Sequence, residues 1–555
     1  MKRILTIATT ALLASCAPSS NTTEDAKKLI TKETLLKRIS TLSSDEMQGR
    51  APATPGGEKA IDYIVGEYKK IGLKPINGSY KQEMKMVKFK KNIEKSHVKI
   101  TKKRKEFKVR GDRDKNPDFT FWSSTQKPSV DIKKAEIVFV GYGVEAPEYG
   151  WDDFKGTDVK GKILLMLNND PQLMKDDALD PKFFEGERRT YYGRYTYKFE
   201  QAMKHGAAGA ILIHTTPSAG YGYSVLQGSG SDAHYAIDVP GSGYKVDFLA
   251  HMDEHATDKM AKQFGKSIDE LFKIALDKNF KPISTGLYVD AHIETEISSV
   301  KTHNLFGMVE GTDPQLKNQH IVFSAHYDHE GVDAHAKEGE DAIYNGAWDN
   351  GSGTGALLSL AESFVKAPTK RSIIFFHCAA EESGLLGSEY FVANPPVPLK
   401  QIVANINIDM PNVYGNSRDM AVIGVNSNSM GKDLRTIAAK TQVEGKPLIV
   451  TDDPNPNAGL FYRSDQVHFA KAGIPALFVE SGHDFVGKPK DFYKTKNSKV
   501  YHKPADQIDS DWDLSGLERD MRIIFDLATK LGNDAEQPKW NAGNEFESVY
   551  NQLYK

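Results

Sequence analysis

Four largely apolar runs in the C-terminal half of this 555-residue chain limit the folds that are open to it. They are Ile321–Ala325, Ile373–Cys378, Ile402–Ile408 and Ala476–Val479. Apolar runs of this length suit strands at the centre of a sheet that is covered on both faces. A helical pattern at 357–364 lies between the first two runs. Because strands alternate with helices, the sequence predicts an α/β layered fold.

Histidines and carboxylates cluster in short segments, most of which directly follow the predicted strands. The segments are Ser324–His329, Ala347–Gly353, Ala379–Gly384, Asn407–Asp409 and Tyr501–Asp506. In open α/β sheets the functional groups gather at the carboxyl ends of the strands. Imidazole nitrogens and carboxylate oxygens converging on one edge are the donors that a divalent transition metal needs. Each segment alone is a weak signal, whereas five in this order form a specific pattern.

Together these segments resemble peptidase family M28. The resemblance extends to Leu42–Arg50 and Thr54–Gly57 near the N-terminus, and to Arg463–Asp465. It implies a mixed-sheet, three-layer α/β domain of the phosphorylase/hydrolase-like zinc exopeptidase type, with an inserted protease-associated (PA) domain. It also implies a metal-dependent aminopeptidase that acts on peptides and holds two Zn²⁺ ions per chain.

The resemblance assigns a metal-binding role to five side chains. His326 and Asp409 are expected to bind one zinc ion, and Glu382 and His502 the other. Asp349 is expected to bridge the two ions, with one carboxylate oxygen for each.

Two further carboxylates are expected to be catalytic. In the family pattern, Glu381 is the general base that takes a proton from the attacking water and passes it to the leaving amine. Asp328 is expected to accept the second ring N–H of His326 and so fix the tautomer of that ligand. The resemblance also implies a cis peptide bond between Asp349 and Asn350. Gln466 stands where the family often has a histidine, which leaves a substrate contact there open.

Several neighbouring residues are expected to have ordinary roles. His329 and His335 are close to the first ligand in sequence, and we expect polar roles for both. Cys378 lies in a predicted buried strand and should serve packing. Tyr462 and Arg463 could approach the substrate, and a structural role is an equal alternative.

The N-terminus has the pattern of an export signal. Lys2 and Arg3 precede the uncharged, mostly apolar stretch Ile4–Ala14, which is too short to span a bilayer. Leu-Ala-Ser-Cys follows and is similar to a bacterial lipobox, so Cys16 is expected to be lipidated. Ala17 follows the cysteine and favours the outer membrane in a Gram-negative cell. The sequence therefore predicts an exported bacterial lipoprotein attached to a membrane through Cys16.

A change near residue 131, from a lysine-rich segment to apolar runs separated by glycines, indicates a second domain. Asp158–Lys162 precedes a predicted buried strand, and a predicted helix then ends in Gly206–Ala210 before another strand. This pattern as a whole resembles a PA domain. Helices are predicted at Lys32–Leu42 and after Gly57. The full division is a signal peptide at 1–15, a tether at 16–30, an N-terminal catalytic part at 31–127, the PA domain at 128–295, the metallopeptidase core at 296–535 and a polar surface tail at 536–555.

Composition and ligand content favour a peptidase over other functions. The formal net charge is only -2, and no basic block supports nucleic-acid binding. A carboxypeptidase or dipeptidase of the same family is the main alternative, and it would need cationic groups for a substrate carboxylate. A glutaminyl cyclase uses one zinc ion and lacks the first histidine ligand, whereas His326 is present. A catalytically inactive binding protein would have lost ligands that this chain keeps.

Overall fold

The part of the chain described by the computed structural model is nearly complete after residue 19. It comprises residues 20–103, 105–111, 114, 117–175, 178–219, 222–226, 233–334 and 336–555. The predicted signal peptide, Cys16 and His335 lie outside the described residues. Within the described part, no helix combines the length and the apolar character needed to cross a membrane.

The N-terminal part consists of three helices followed by antiparallel strands. The elements are α1 (Ser20–Lys27), α2 (Lys32–Leu42), α3 (Pro55–Ile71), β1 (Lys81–Lys91), β2 (His97–Lys102), β3 (Lys105–Phe107) and β4 (Phe119–Trp122). Thr31 caps α2 by accepting the N–H of Thr34, and Leu35, Ile39 and Leu42 are buried on one face. The helix predicted at Lys32–Leu42 is confirmed, and the second predicted helix is α3.

The segment predicted to be a tether is partly folded. Helix α1 lies within it, and both Ala26 and Ile30 are fully buried in the main core. Lys27 also forms an ion pair with Asp526, with its Nζ 3.0 Å from the carboxylate. The few apolar side chains of this polar segment therefore pack into the main core.

The C-terminal half contains the catalytic-type layered domain. Its elements are β15 (His320–His326), β16 (Gly331–Val332), β17 (Ile343–Tyr344), α8 (Gly353–Lys366), β18 (Ser372–Cys378), α9 (Leu386–Ala393), β19 (Ile402–Ile408), β20 (Asp419–Ile423), α10 (Met430–Ala438), β21 (Gln442–Val443), β22 (Lys446–Pro447), β23 (Ile449–Thr451), α11 (Gln466–Lys471), β24 (Ala476–Val479), α12 (Phe492–Val500), α13 (Ser515–Asn533) and α14 (Glu547–Leu553). The elements that directly precede them in the chain form a second unit, which is described below.

The central sheet has mixed strand directions. Strands β18, β15, β19 and β24 are parallel neighbours, and β20 pairs antiparallel to β24. All residues of β15, β18, β19 and β24 are buried, because helices cover both faces. The α/β mixed-sheet fold is therefore confirmed. The carboxyl ends of these four strands meet at one edge, where the predicted site residues follow.

A second unit with its own core is inserted before this half. Its elements are β5 (Ser129–Phe139), β6 (Glu145–Ala146), β7 (Trp151–Asp152), β8 (Ile163–Leu167), β9 (Met174–Lys175), β10 (Ala178–Leu179), α4 (Tyr195–Lys204), β11 (Gly209–Ile213), α5 (Thr216–Ala219), β12 (Ala233–Ile237), β13 (Phe248–Met252), α6 (Glu254–Lys262), α7 (Ile268–Ala275) and β14 (Ile283–Val309). Strands β5, β8, β11 and β13 are parallel, and two apolar clusters form around them. The PA identity of this unit stays a prediction.

The boundary of the second unit differs from the predicted one. Strand β4, at 119–122, pairs antiparallel to β13, and β2 pairs with β14 at 288–292. Strands β2 and β4, which precede residue 128, therefore pair with strands of the second unit. Strand β14 then continues through both units, pairing with β5 at its start and with β18 at its end.

The C-terminal segment packs more closely than its polar sequence suggests. Trp540 and Phe546 are buried in a cluster with Phe461, and the Trp540 ring N–H donates to the carbonyl of Gly473 at 3.1 Å. Residues 536–555 are therefore part of the folded domain and not only a surface tail.

A single buried arginine joins the N-terminal part to the loops at the sheet edge. Arg50 is fully buried, and its guanidinium donates to the carbonyl oxygens of Leu42, Tyr327, Asn345 and Gly346 at 2.6–2.8 Å. Burial lowers the pKa of Arg50 to about 10, so the group remains charged at neutral pH. The position of the loops at 327 and 346 thus depends on this side chain.

We expect the substitution Arg50→Met to lower the free energy of unfolding by about 3–5 kcal/mol, because four buried carbonyl groups lose their donor. Urea denaturation measures this change. The matched control is Arg418→Met, since the Arg418 side chain is 40% exposed and pairs with the exposed carboxylates of Glu444 and Asp484. The control should change stability by less than about 1 kcal/mol. Equal small effects of both substitutions would contradict this role of Arg50.

Candidate metal centre

The five predicted metal ligands come from separate segments and meet at the edge where β15, β18 and β19 end. His326 is the last residue of β15, Asp409 follows β19 directly, and Glu382 lies in the loop after β18. Asp349 lies in the turn before α8, and His502 follows α12. Because His326 pairs in parallel register with Cys378, the loop that begins after Cys378 starts beside this histidine.

The carboxylate of Asp349 lies between two histidines. Its Oδ1 is 3.2 Å from His326 Nε2, and its Oδ2 is 3.3 Å from His502 Nε2. Burial opposes ionisation of this carboxyl, but the hydrogen bonds to His326 and His502 hold its pKa well below the usual range. Each oxygen of Asp349 thus faces a different imidazole.

A further carboxylate accompanies each of these histidines. Asp409 Oδ1 is 3.3 Å from His326 Nε2, and Glu382 Oε2 is 3.1 Å from His502 Nε2. Glu381 joins the first group, because its carboxylate, His326 and Asp409 have donor atoms within 4.8 Å of one another. The structure therefore brings together all five predicted ligands and the predicted base.

This donor set fits divalent cations. Imidazole nitrogens and carboxylate oxygens are the ligands of zinc and related metals in proteins. Asp349, Glu381, Glu382 and Asp409 are all buried or nearly so, and the buried guanidinium of Arg50 interacts electrostatically with Asp349 and Glu382. Buried carboxylates at such short spacing repel one another unless cations compensate them.

The role predicted for the Asp328 side chain is wrong. His326 Nδ1 lies 3.2 Å from the backbone oxygen of Asp328, not from its carboxylate. The carboxylate instead accepts the backbone N–H groups of Glu381, at 3.1 Å, and Glu382, at 3.3 Å. The reason is that the chain turns after β15. This turn places the backbone carbonyl of Asp328 beside the imidazole of His326 and directs the Asp328 side chain toward the loop after β18. Burial raises the pKa of Asp328 to about 7.

Two residues near the first ligand have specific contacts that the sequence analysis missed. His329 Nδ1 is 2.7 Å from Glu382 Oε1, so His329 holds the carboxylate whose other oxygen faces His502. Glu330 Oε1 is 3.2 Å from His502 Nδ1, on the opposite side of that imidazole. Carboxylates in this position orient histidine ligands and raise their basicity. The sequence signal for these contacts is that His329 and Glu330 directly follow Asp328, close to the first ligand.

Asp506 positions the backbone of the turn that carries Asp349. Its two carboxylate oxygens accept the N–H groups of Trp348 and Asp349, both at 2.9 Å, and its carbonyl accepts the N–H of Ala347 at 3.1 Å. Gly346, at φ +58°, begins this turn, and a Cβ there would lie 2.4 Å from the carbonyl oxygen of Asp349. The expected cis peptide bond between Asp349 and Asn350 is present.

The remaining candidates have structural contacts. Gln466 is fully buried and bonds to Asn407 and the carbonyl of Phe461, so it contacts the core and not an open site. Cys378 is buried, in agreement with a packing role. Tyr462 and Arg463 line a large cavity described next.

A cavity of about 1230 Å³ opens beside the candidate metal centre and extends to the second unit. Glu381, Glu382, His329 and Tyr501 line it on the catalytic side. The ring of Tyr501 stacks on His502, with centroids 4.0 Å apart, and the residue is 45% exposed. The predicted base and one ligand are therefore accessible to a molecule in this cavity.

Part of the chain is similar to proteins of a known family. Residues 304–527, which include the five candidate ligands, match the model of peptidase family M28. Over 207 residues the chain is 28% identical to Aminopeptidase YwaD of Bacillus subtilis (strain 168), a match that covers 36% of this chain and 40% of the relative. A probable zinc metalloprotease of Pyrenophora teres f. teres is 23% identical over 288 residues, which is 43% of this chain and 57% of the relative.

The chain thus matches less than two thirds of the length of either relative. A solved structure of an aminopeptidase from Aneurinibacillus sp. strain AM-1 has the same fold, with a TM-score of 0.52 at 18% identity. That likeness covers 93% of this chain and 97% of the other. On its match to the family model and on the arrangement of its histidines and carboxylates, the region 304–527 of the chain is a domain of peptidase family M28.

Proposed function

We propose that this chain is a zinc-dependent aminopeptidase that removes residues from the free N-terminus of peptides. The observation that carries the proposal is the position of Asp349 between His326 and His502, with Asp409 and Glu382 completing the two groups. The names of the relatives support the same activity, since one is an aminopeptidase and another a probable zinc metalloprotease.

We further propose that the centre holds two zinc ions. His326, Asp409 and Asp349 would hold one ion, and Glu382, His502 and Asp349 the other, as their short contacts indicate. Bound zinc ions lower the pKa of water and polarise a peptide carbonyl. The same donors would also accept cobalt or manganese.

Glu381 is the proposed proton carrier. Its carboxyl lines the cavity and is 9% exposed, so it can contact both water and substrate there. Burial and the neighbouring carboxylates of Glu382 and Asp409 raise its pKa well above the usual range, against the opposing effect of His326. A carboxylate of this kind can accept a proton from the attacking water and donate it to the leaving nitrogen. Asp328 fixes the backbone of Glu381 through its N–H.

The charges at this end of the cavity favour a free amine over a free carboxylate. Glu330 and Glu381 line the cavity beside the ligands, and both can attract a protonated α-amine. The carboxypeptidase or dipeptidase alternative needs a cation for the substrate carboxylate. Arg463 lines the cavity, but its guanidinium already donates to the carbonyls of Ala458 and Ala219, at 3.0 and 3.2 Å.

Two further proposals rest on the sequence. We propose that the chain is exported and attached to a membrane through a lipid on Cys16, as the charged start, apolar stretch and lipobox-like segment indicate. We also propose that the second unit is a PA domain, which the strand and glycine pattern at 158–210 supports.

The substitution Glu381→Gln should keep the metal and reduce kcat by about 10²–10⁴-fold, because the amide cannot carry the proton. Steady-state kinetics and metal analysis of the same preparation test this. Glu338→Gln alters an exposed glutamate and should leave both quantities unchanged. A fully active Glu381→Gln enzyme would refute the proton-carrier role.

A chelator should abolish hydrolysis of aminoacyl-nitroanilides, and added zinc should restore it, because the proposed chemistry needs the metal. The purified enzyme should cleave peptides with a free N-terminus and leave N-acetylated peptides intact. Cleavage of N-acetylated peptides from their C-terminus would instead support the carboxypeptidase alternative. Activity that is indifferent to chelators would contradict the metal-dependent mechanism.

The substitution Asp506→Asn should raise the zinc dissociation constant about 10–100-fold, because the turn that carries Asp349 loses one of two N–H acceptors. Competition with a chromogenic chelator measures the affinity. Asp511→Asn is the control, since Asp511 is exposed and pairs with Lys496 at the surface. Unchanged zinc affinity in a folded Asp506→Asn enzyme would show that the turn does not depend on this carboxylate.

A further inference from the structure

We propose that strand β1 and the second unit together supply an aromatic wall that binds apolar side chains of the peptide downstream of the scissile bond, so that the enzyme prefers oligopeptides with a bulky apolar residue near their N-terminus. The aromatic wall consists of Phe89, Trp122, Tyr195, Tyr235 and Tyr244. The inference rests on the proposed aminopeptidase function and names the class of substrate.

The aromatic wall and residues of the candidate metal centre line the same cavity. The members of the wall come from β1, β4, α4, β12 and the loop after β12, none of which contributes a predicted ligand. The lining of this cavity also includes Glu381, Glu382 and residues of α9 and α11. A peptide whose first residue lies at the glutamates can therefore reach these rings without leaving the cavity.

The size of the cavity exceeds what one residue needs. Its volume of about 1230 Å³ is above the range of about 300–1000 Å³ that is typical of sites for small ligands. An extended chain advances about 3.3–3.6 Å per residue, so several residues beyond the scissile bond can lie inside. The volume is thus suited to a peptide chain and larger than a single amino acid requires.

The wall has a buried layer and an accessible layer. Phe89 and Trp122 are 5% and 8% exposed, and both stack on His234 with ring centroids 5.9 and 5.8 Å away. Tyr195, Tyr235 and Tyr244 are only partly buried and so keep accessible ring surface toward the cavity. Ring faces in a recessed cavity are favourable contacts for apolar and aromatic side chains.

Hydrogen bonds hold the second unit in place against the catalytic side of the cavity. The N–H of Gly243, next to Tyr244, donates to Glu389 Oε1 on α9 at 3.0 Å. Lys471 on α11 donates to the hydroxyl of Tyr191 at 2.8 Å. Both links lie in the cavity lining, so the wall is joined to the helices that follow the Glu381 loop and its distance from the site is fixed.

The test compares a minimal substrate with peptides that reach the wall. Leucinamide carries nothing beyond the scissile bond, whereas Leu-Ala-Phe-Ala-Ala and Leu-Ala-Ser-Ala-Ala differ in one side chain two residues beyond it. The phenylalanine is also moved to positions two and four. The wild-type enzyme should show at least one position at which phenylalanine raises kcat/KM about tenfold over serine.

The double variant Tyr235→Ala, Tyr244→Ala should lose this preference and keep its kcat/KM for leucinamide. Tyr288→Ala is the matched control, because Tyr288 is a partly buried tyrosine of the second unit that does not line the cavity. A second variant, Ala236→Trp, adds a ring to the cavity lining and removes no packing. It should lower kcat/KM for all the pentapeptides about tenfold or more and leave leucinamide hydrolysis unchanged.

The outcomes separate this inference from the proposed function. A wild-type enzyme that cleaves neither leucinamide nor the pentapeptides refutes the aminopeptidase proposal itself. A wild-type enzyme that cleaves all of them with no preference for phenylalanine at any position overturns the aromatic wall alone. Variants that change leucinamide and pentapeptide hydrolysis by the same factor also overturn it, because the wall would then act only through the fold.

Discussion

The carboxylate of Asp349 lies between two imidazoles, and much of the surrounding structure serves to keep it there. Its oxygens are 3.2 and 3.3 Å from the two histidine nitrogens. The turn that carries it is fixed by Asp506 through two backbone N–H groups and by Arg50 through the carbonyls of 345 and 346. A shift of this turn would disturb both candidate metal positions at once, since they share one carboxylate.

The site is positioned largely by carboxylates that accept backbone N–H groups. Asp328 holds the segment of Glu381 and Glu382, and Asp506 holds the segment of Asp349. Both side chains are buried, and this burial raises the pKa of Asp328 to about 7 and that of Asp506 to about 6. Hydrogen bonds to N–H groups stabilise such buried anions without a side-chain cation. The carboxylates that still need positive charge are therefore those of the candidate ligands Asp349, Glu382 and Asp409.

The parts of the site that follow parallel strands could be predicted from the sequence. His326 and Asp409 are adjacent to strand ends, and parallel pairing brings such ends to one edge, so their convergence follows from strand order. His502 follows a helix, and nothing in its local pattern gives its distance from the others. Only the resemblance to a family placed it in the site.

Contacts that depend on the exact path of a loop could not be predicted. The pattern predicts a contact between the Asp328 carboxylate and His326. In the structure, the backbone carbonyl of Asp328 makes this contact and its carboxylate accepts the N–H of Glu381. Likewise, the strand at 119–122 pairs with β13 of the second unit. This pairing could not be predicted, because β13 is more than a hundred residues away in sequence. Apolar runs give the type of an element, whereas its partner depends on tertiary packing.

The second unit and the catalytic-type domain cannot be treated as independent parts, because strand β14 belongs to both. It pairs with β5 at its start and with β18 at its end, and β1 pairs along its middle at 295–305. Removal of the second unit would leave half of this strand without hydrogen-bond partners and would expose an open sheet edge, which favours aggregation. The same continuity fixes the cavity between the two cores, since β1 also carries Phe89 in its lining. The geometry of the substrate cavity is therefore a consequence of the sheet itself and does not depend on a flexible connection between domains.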